Sequence, residues 1–482
     1  MSLRCIVIGA GMAGILSAVK LRGAGFDDVT IYEKGDTYGG TWRENTYPGL
    51  ACDVPSHLYS YSFEPNPDWS RRFSPGPEIR SYFEGVAHRH GLDEITRFGE
   101  EVVSCERRDG RWQIETSRGR HDSADVVLAA TGVLHHPNVP DLPGLDTFAG
   151  HAFHSARWDH DVEIDGKRVG VIGTGSTAVQ ITSAVVDRVE HFTLFQRTAQ
   201  WIMPQPNPPY SEAQRETFRR DPSEMARRRE GYAQQFTDGF ANALVNADSP
   251  EMHMLEDMCR AHLEEKVTDP VLREKLRPSY RAACKRLIMS YDFYDAIQRP
   301  NAELVTEGIE RVEPTGVRTT DGVLHELDVL VLATGFKVDR FVRPIRVVGN
   351  DGLDLDDAWA EGPTAYLSIS VPGFPNFFML NGPNGPVGNF SLIDVAECQI
   401  DYILQLLDLL GPDGRAGVSA TAEATTQFEA RRVEAARSTI WMSGCRSWYL
   451  DKRGIPATWP WTFRDFRKAM SAPDLADFEF SA

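Results

Sequence analysis

Two glycine-rich turns, each caught between a short apolar run and a helical pattern, restrict this chain to few folds. Cys5 to Ile8 is consistent with a buried parallel strand and leads straight into Gly9-Ala10-Gly11-Met12-Ala13-Gly14, with a helical pattern from Ile15 to about Ala24. Arg168 to Ile172 is a second such strand, followed by Gly173-Thr174-Gly175-Ser176-Thr177-Ala178 and a helical pattern through about Val185. Gly9 permits the tight turn, Gly11 lets the backbone approach a pyrophosphate, and Gly14 lets helix and strand pack closely, while the helix N-terminus faces the negative charge. In the second copy Gly173 and Gly175 keep their places and Ala178 takes the third, an accepted variant. A lone G-x-G-x-x-G is a weak signal; set between strand and helix it is a strong one. The expected fold is α/β, with two Rossmann-like dinucleotide-binding domains.

The two copies differ where their second strands end. Val29 to Tyr32 ends on Glu33, where a carboxylate can accept hydrogen bonds from ribose hydroxyls. Phe192 to Phe195 ends in Gln196-Arg197-Thr198, with no acid. A cation there suits a 2′-phosphate and favours NADP over NAD, although Arg197 also reads as merely exposed. A repeat with altered chemistry points to two different dinucleotides. Each unit is closed by a meander: Val102–Arg107 and Trp112–Thr116 flank Asp109-Gly110, and Ile309–Glu313 with Val317–Thr320 precede Asp321-Gly322. A strand then ends in Ala130-Thr131-Gly132 in one unit and Ala333-Thr334-Gly335 in the other. Residues from about Tyr210 to Pro278 break this rhythm and read as amphipathic helices, with nothing in them that marks a binding role.

The rest of the chain narrows the partners. A formal net charge of −18 argues against nucleic acid or an anionic membrane surface, both of which reward Lys and Arg. The seven cysteines form no C-x-x-C pair and no zinc spacing, so they are expected to be reduced thiols, with no metal site and no redox-active disulfide. With no signal peptide and no apolar run of membrane-spanning length, a soluble cytoplasmic protein is expected.

Between the two units lies the pattern F-x-G-x-x-x-H-x-x-x-W-D, made by Phe148, Gly150, His154, Trp158 and Asp159. On composition it is a surface crossover whose rings pack on a neighbouring domain. Its spacing resembles the fingerprint of the type I Baeyer–Villiger monooxygenases, flavoproteins that use NADPH. Further resemblances follow along nearly the whole chain. Gly39-Gly40-Thr41-Trp42 is similar to the second flavin-contacting turn, and Tyr47 to Tyr59 to the run that follows it in that family. Cys284-Lys285-Arg286 stands where the family carries a K-R pair, and Ser447-Trp448 resembles its S-W segment.

The resemblance implies FAD and NADPH as cofactors, with Gly9, Gly11, Gly14, Glu33, Gly40, Thr41, Trp42 and Asp53 about the flavin dinucleotide. It implies Gly173, Gly175, Ser176, Thr177, Arg197, Thr198, Lys285 and Trp448 about NADP. Asp53 would position a catalytic Arg286. Bland readings stand beside these: Asp53 as a turn residue, Lys285-Arg286 as a surface pair, Trp448 as a core ring. His154 and Trp158 are expected to couple domains without touching substrate. The implied organisation is a FAD domain at 1–140 and 330–482, an NADP domain at 148–209 and 281–329, and a helical insertion at 210–280.

The implied reaction converts a ketone and dioxygen to an ester or lactone through a peroxyflavin, and it needs a permanent cation, which guanidinium provides. The alternatives are an N- or S-oxygenating flavin-containing monooxygenase, a non-oxygenating NADPH–flavin reductase, and a flavin-bound redox sensor. Trp158-Asp159 favours the ketone reading. The continuation Leu450-Asp451-Lys452-Arg453-Gly454 departs from the G-A-N of cyclohexanone-type members, which puts a simple cyclic ketone preference in doubt.

Overall fold

Two five-stranded parallel sheets carry the molecule, and they have the same strand order. The computed structural model describes residues 3–388, 390–411 and 416–481; the outermost positions of the expected flavin domain, 1, 2 and 482, lie outside them. The first sheet runs Phe377–Met379, Val126–Ala129, Cys5–Ile8, Val29–Glu33, Thr96–Phe98. The second runs His151–His154, Val329–Leu332, Arg168–Ile172, His191–Phe195, Ala302–Val305. All of these pairings are parallel. Both sheets are covered on their faces, so the central strands Cys5–Ile8 and Val126–Ala129 are buried at every position, as are Val329–Leu332.

The outermost strand of each sheet comes from elsewhere in the chain. The first sheet takes Phe377–Met379 from beyond the second unit, so the chain returns to it late. The second takes the fingerprint strand His151–His154, in register with Val329–Leu332. The expectation of a surface crossover is corrected here: the first half of the fingerprint is an edge strand, and Trp158 is buried against Phe153, with ring centroids 5.2 Å apart. The helices start slightly earlier than their apolar period suggests. Met12–Gly23 and Ser176–Val185 begin directly after Gly11 and Gly175, which serve as N-caps without any side-chain hydrogen bond.

The meanders form as expected. In the first, Asp109 and Gly110 both take positive φ (50° and 75°), the conformation a two-residue hairpin turn demands. The stretch from Tyr210 is helical, with Glu212–Arg220, Pro222–Gln234, Asn242–Val245, Pro250–Lys266 and Pro270–Leu276 as its α-helices. It does not belong to one unit. Tyr210, Phe218, Met225 and Ala241 bury their side chains in the core of the first sheet, and Ala243, Leu244, Met252 and Leu263 in that of the second. The π-helical segment Gln235–Ala241 lies where the insertion passes from one core to the other. Arg229 fastens the first half, donating to the carbonyl oxygens of Ser60 (2.6 Å) and Leu58 (3.2 Å) and pairing with Asp394. Among the described residues no helix is long and apolar enough to cross a membrane.

Candidate active site

Each glycine-rich turn is a cradle closed by backbone. Gly9 has φ +103°, and a Cβ on it would fall 2.7 Å from the carbonyl oxygen of Ala130; Gly173 has φ +125°, and its Cβ would fall 2.2 Å from that of Ala333. Both alanines open the A-T-G segments, so the turn and the end of the neighbouring strand are one steric unit in each copy. Gly14 is tighter still, since its Cβ would overlap the Gly9 carbonyl oxygen at 1.8 Å. Gly11 and Gly40 face one another, the Cβ of the first falling 3.3 Å from the Cα of the second. The Gly39-Gly40 turn is thereby laid over the first, with Thr41 exposed and the Trp42 indole donating to the Tyr59 hydroxyl (3.2 Å). Two helix N-termini without side-chain caps, each behind a loop that only glycine can form, fit the pyrophosphate of a dinucleotide.

Glu33 is buried. One carboxylate oxygen accepts from the Ala10 amide (2.7 Å); the other accepts from the Gly35 amide (2.7 Å) and from Arg43 (2.9 Å). An ionised carboxylate has about four acceptor sites, so capacity is left for a ribose hydroxyl. In the second unit Arg197 is exposed and Thr198 accepts through its carbonyl oxygen from the Thr174 hydroxyl (2.8 Å). Arg197, Thr198, Lys275 and Arg277 line a cavity of about 790 Å³. Among the described residues no carboxylate makes a salt bridge to Arg197, Lys275 or Lys285. Burial, and then the charge of nearby Arg197, hold the Lys285 ammonium below the usual lysine range. Arg197 and Lys275 thus face the cavity without a carboxylate partner, as suits a phosphate monoester, while Arg277 pairs there with Glu274 (3.4 Å).

The run from Tyr47 to Asp53 lies between the two units. The Tyr47 hydroxyl donates to the Gln180 side chain (2.8 Å) and accepts from Thr177 (3.4 Å); Gln180 donates in turn to the Ala51 carbonyl oxygen (3.0 Å). This places Asp53 against Arg286, with Nη2 to Oδ2 at 2.5 Å across 233 residues of sequence. The Asp53 charge, opposed by burial and supported by the Tyr449 hydroxyl, raises the guanidinium pKa further above its ordinary value. Asp53 is therefore no simple turn residue, and Lys285-Arg286 no surface pair. Trp448 is exposed and stacked on Tyr449, with centroids 4.1 Å apart, so it is not a core ring.

The fingerprint stands apart from this cluster. The His154 Nε2 donates to the Gly335 carbonyl oxygen (3.0 Å) and its Nδ1 accepts from the Ala156 amide (3.1 Å), which fixes a neutral tautomer. Burial, the largest influence, lowers its pKa. Gly150 is required because its Cβ would lie 2.3 Å from the Asp328 carbonyl oxygen. Phe148 packs beside the second meander, and Asp159 accepts from the Asp161 amide (3.0 Å). The motif thus braces the second sheet and reaches the A-T-G end of its strand Val329–Leu332.

Comparison with known proteins agrees with this geometry. Residues 6–220 match the family model described as pyridine nucleotide-disulphide oxidoreductase. A protein of Mycobacterium tuberculosis designated an uncharacterized monooxygenase is 49% identical over 94% of this chain and 91% of its own length. A Baeyer–Villiger monooxygenase of Streptomyces coelicolor is 42% identical over 99% of this chain and 92% of its own. This chain belongs to the Baeyer–Villiger monooxygenase family. The solved structure of OTEMO in complex with FAD and NADP superposes on this monooxygenase with a TM-score of 0.89, at 27% identity, covering 100% of this chain and 99% of the other. The two dinucleotide sites of the monooxygenase are accordingly those of its cofactors, FAD and NADPH.

A second expectation fails in this monooxygenase. The cysteines are not all thiols: Cys284 and Cys445 form a disulfide, with Cα atoms 6.1 Å apart and a sequence separation of 161, and Cys5, Cys52, Cys105, Cys259 and Cys398 are free. No spacing rule sees a pair that distant, because only the tertiary structure brings the two segments together. Sequence reasoning also passed over Lys275 and Arg277, ordinary surface charges at and just beyond the last turn of Pro270–Leu276, and Tyr449, which lies next to the singled-out Trp448. Gly388, in the Asn381–Gly388 loop, carried no signal.

Proposed function

We propose that this monooxygenase uses NADPH and dioxygen to oxidise a ketone to an ester or lactone, with the chemistry seated at the Asp53–Arg286 pair. The carrying observation is that pair itself, formed at 2.5 Å between the run that follows the first dinucleotide turn and the segment that follows the insertion. Bound FAD, reduced by NADPH, supplies the activated dioxygen. The protein's part is electrostatic. Negative charge develops on the carbonyl oxygen of a ketone under nucleophilic attack, and a guanidinium that stays protonated at any working pH stabilises it. Asp53 holds the fork of that guanidinium in one orientation. Arg197 and Lys285, with Thr198 beside them, take the 2′-phosphate of NADPH, and Gly173, Gly175, Ser176 and Thr177 its pyrophosphate. Trp448 flanks the nicotinamide. In this reading the FAD domain spans 1–140 and 330–482, the NADP domain 148–209 and 281–329, and the insertion at 210–280 bridges them.

The test is a ketone panel with NADPH and ¹⁸O-labelled dioxygen. One labelled oxygen in an ester or lactone is the expected product. Arg286→Ala lowers its formation by about 100- to 1,000-fold, while anaerobic reduction of the flavin by NADPH continues. Conversion of sulfides or amines with every ketone untouched, or normal ketone oxygenation by Arg286→Ala, overturns the assignment.

A further inference from the structure

Arg286 has a second neighbour that the family resemblance does not supply. The hydroxyl of Tyr449 lies beside the guanidinium, both flanking Gly388, and each group bears on the other: the tyrosine raises the arginine pKa, while the arginine charge opposes the effect of burial on the tyrosine. Tyr449 is 3% exposed, its ring lying between Trp441 (centroids 5.5 Å) and Trp448 (4.1 Å). Two further features bear on the same point. Gly388 has φ +84°, and a Cβ there would fall 2.0 Å from the Tyr449 hydroxyl oxygen and 3.1 Å from Arg286 Nη1, so the chain leaves room for that hydroxyl beside Nη1. Asp53 holds the other terminal nitrogen, Nη2. The disulfide joins Cys284, two residues before Arg286, to Cys445, four before Tyr449.

We propose that Tyr449 is a positioning residue for Arg286, its hydroxyl holding the Nη1 side of the guanidinium while Asp53 holds Nη2, with the Cys284–Cys445 disulfide setting the register of the two segments that meet there. The inference rests on the reading of Arg286 given above. A neutral hydroxyl suits this task. A second carboxylate would reverse the sign of the cluster, whereas a phenol fixes the guanidinium without cancelling its charge. The cation needs two anchors because a single hydrogen bond leaves it free to rotate about that bond, and misplacement by about 1 Å is costly to an oriented reaction.

Tyr449→Phe keeps the ring and removes the hydroxyl. The expected result is an unchanged melting temperature and an anaerobic rate of flavin reduction by NADPH within about twofold of wild type. The share of NADPH electrons appearing in oxygenated product falls about tenfold and hydrogen peroxide rises to match, as expected for one lost hydrogen bond to a charged group. A crystal structure of the variant shows Arg286 turned or split between rotamers. Arg286 unmoved and coupling unchanged would make Tyr449 a core ring and overturn the proposal. Should the variant fail to fold, Gly388→Ala serves in its place, because it keeps Tyr449 and crowds its hydroxyl. For the disulfide, alkylation of denatured, unreduced protein labels five of the seven cysteines and all seven after treatment with a dithiol, which cleaves the S–S bond and leaves two thiols at the expense of its own. Seven labelled at the outset would remove the brace from the proposal. A wild type that sends all its electrons to peroxide sinks the ketone reading alone, since the position of Arg286 in Tyr449→Phe still decides this one.

Discussion

The two dinucleotide units share a skeleton and differ at a few atoms. In both, a glycine of positive φ lies under the carbonyl of an alanine that follows the adjacent strand, Gly9 under Ala130 and Gly173 under Ala333. The third position separates them. Gly14 leaves no space for a methyl group, while Ala178 carries one within the core. The facing turn separates them again: Gly11 is met by Gly40, whereas a Cβ built on Gly175 meets nothing within 4 Å among the described residues beyond its own chain neighbours. At the strand end the first unit offers a buried carboxylate inside a hydrogen-bond network, and the second an exposed arginine beside two lysines and a cavity. The cradle is a matter of backbone sterics and is therefore repeated. The charge at the strand end is not bound by those sterics, and it differs between the two units.

The third position should yield the largest contrast. Gly14→Ala forces a methyl group into the Gly9 carbonyl and is expected to destabilise the protein by more than about 4 kcal/mol, with loss of bound flavin. Ala178→Gly costs about 1 kcal/mol. Thermal unfolding with flavin content measures both, and equal losses would break the claim that the first unit is packed more tightly. At the strand ends, Arg197→Ala should raise the KM for NADPH by about ten- to hundredfold, the worth of a charge-assisted hydrogen bond, while the KM for NADH and kcat hold. An equal rise for both coenzymes would detach Arg197 from the 2′-phosphate. Glu33→Gln should loosen FAD by about tenfold in equilibrium dialysis and leave the preference between NADPH and NADH untouched. Gly175→Ala is expected to shift stability by less than about 1 kcal/mol, since the protein does not crowd it. Any loss there should appear in NADPH binding, and a large drop in melting temperature would show that the turn is constrained from within.

Much of this was legible in the sequence because the signals are local. The turn glycines, the strands beside them and Asp109-Gly110 follow from φ and from hard contacts within a few residues. The change from Glu33 to Arg197 follows from comparing two copies of one motif. The fingerprint was legible as a pattern and misjudged as a crossover, because a four-residue edge strand half exposed to solvent has no apolar period to announce it. That Lys275 and Arg277 line the cavity was invisible, since a surface cation reads the same whether or not it faces one.

By itself, then, the sequence determined the number of dinucleotide units, the order of their parts and the sign of the charge each presents, since all three are written in short-range backbone chemistry. The tertiary structure alone decided which side chains meet. Asp53 reaches Arg286, Cys284 pairs with Cys445, and the Tyr449 hydroxyl finds the space that Gly388 leaves, each across at least 61 residues of chain. Contacts at such separations are set by how the two sheets and the insertion pack against one another. No residue carries that information in its own neighbourhood.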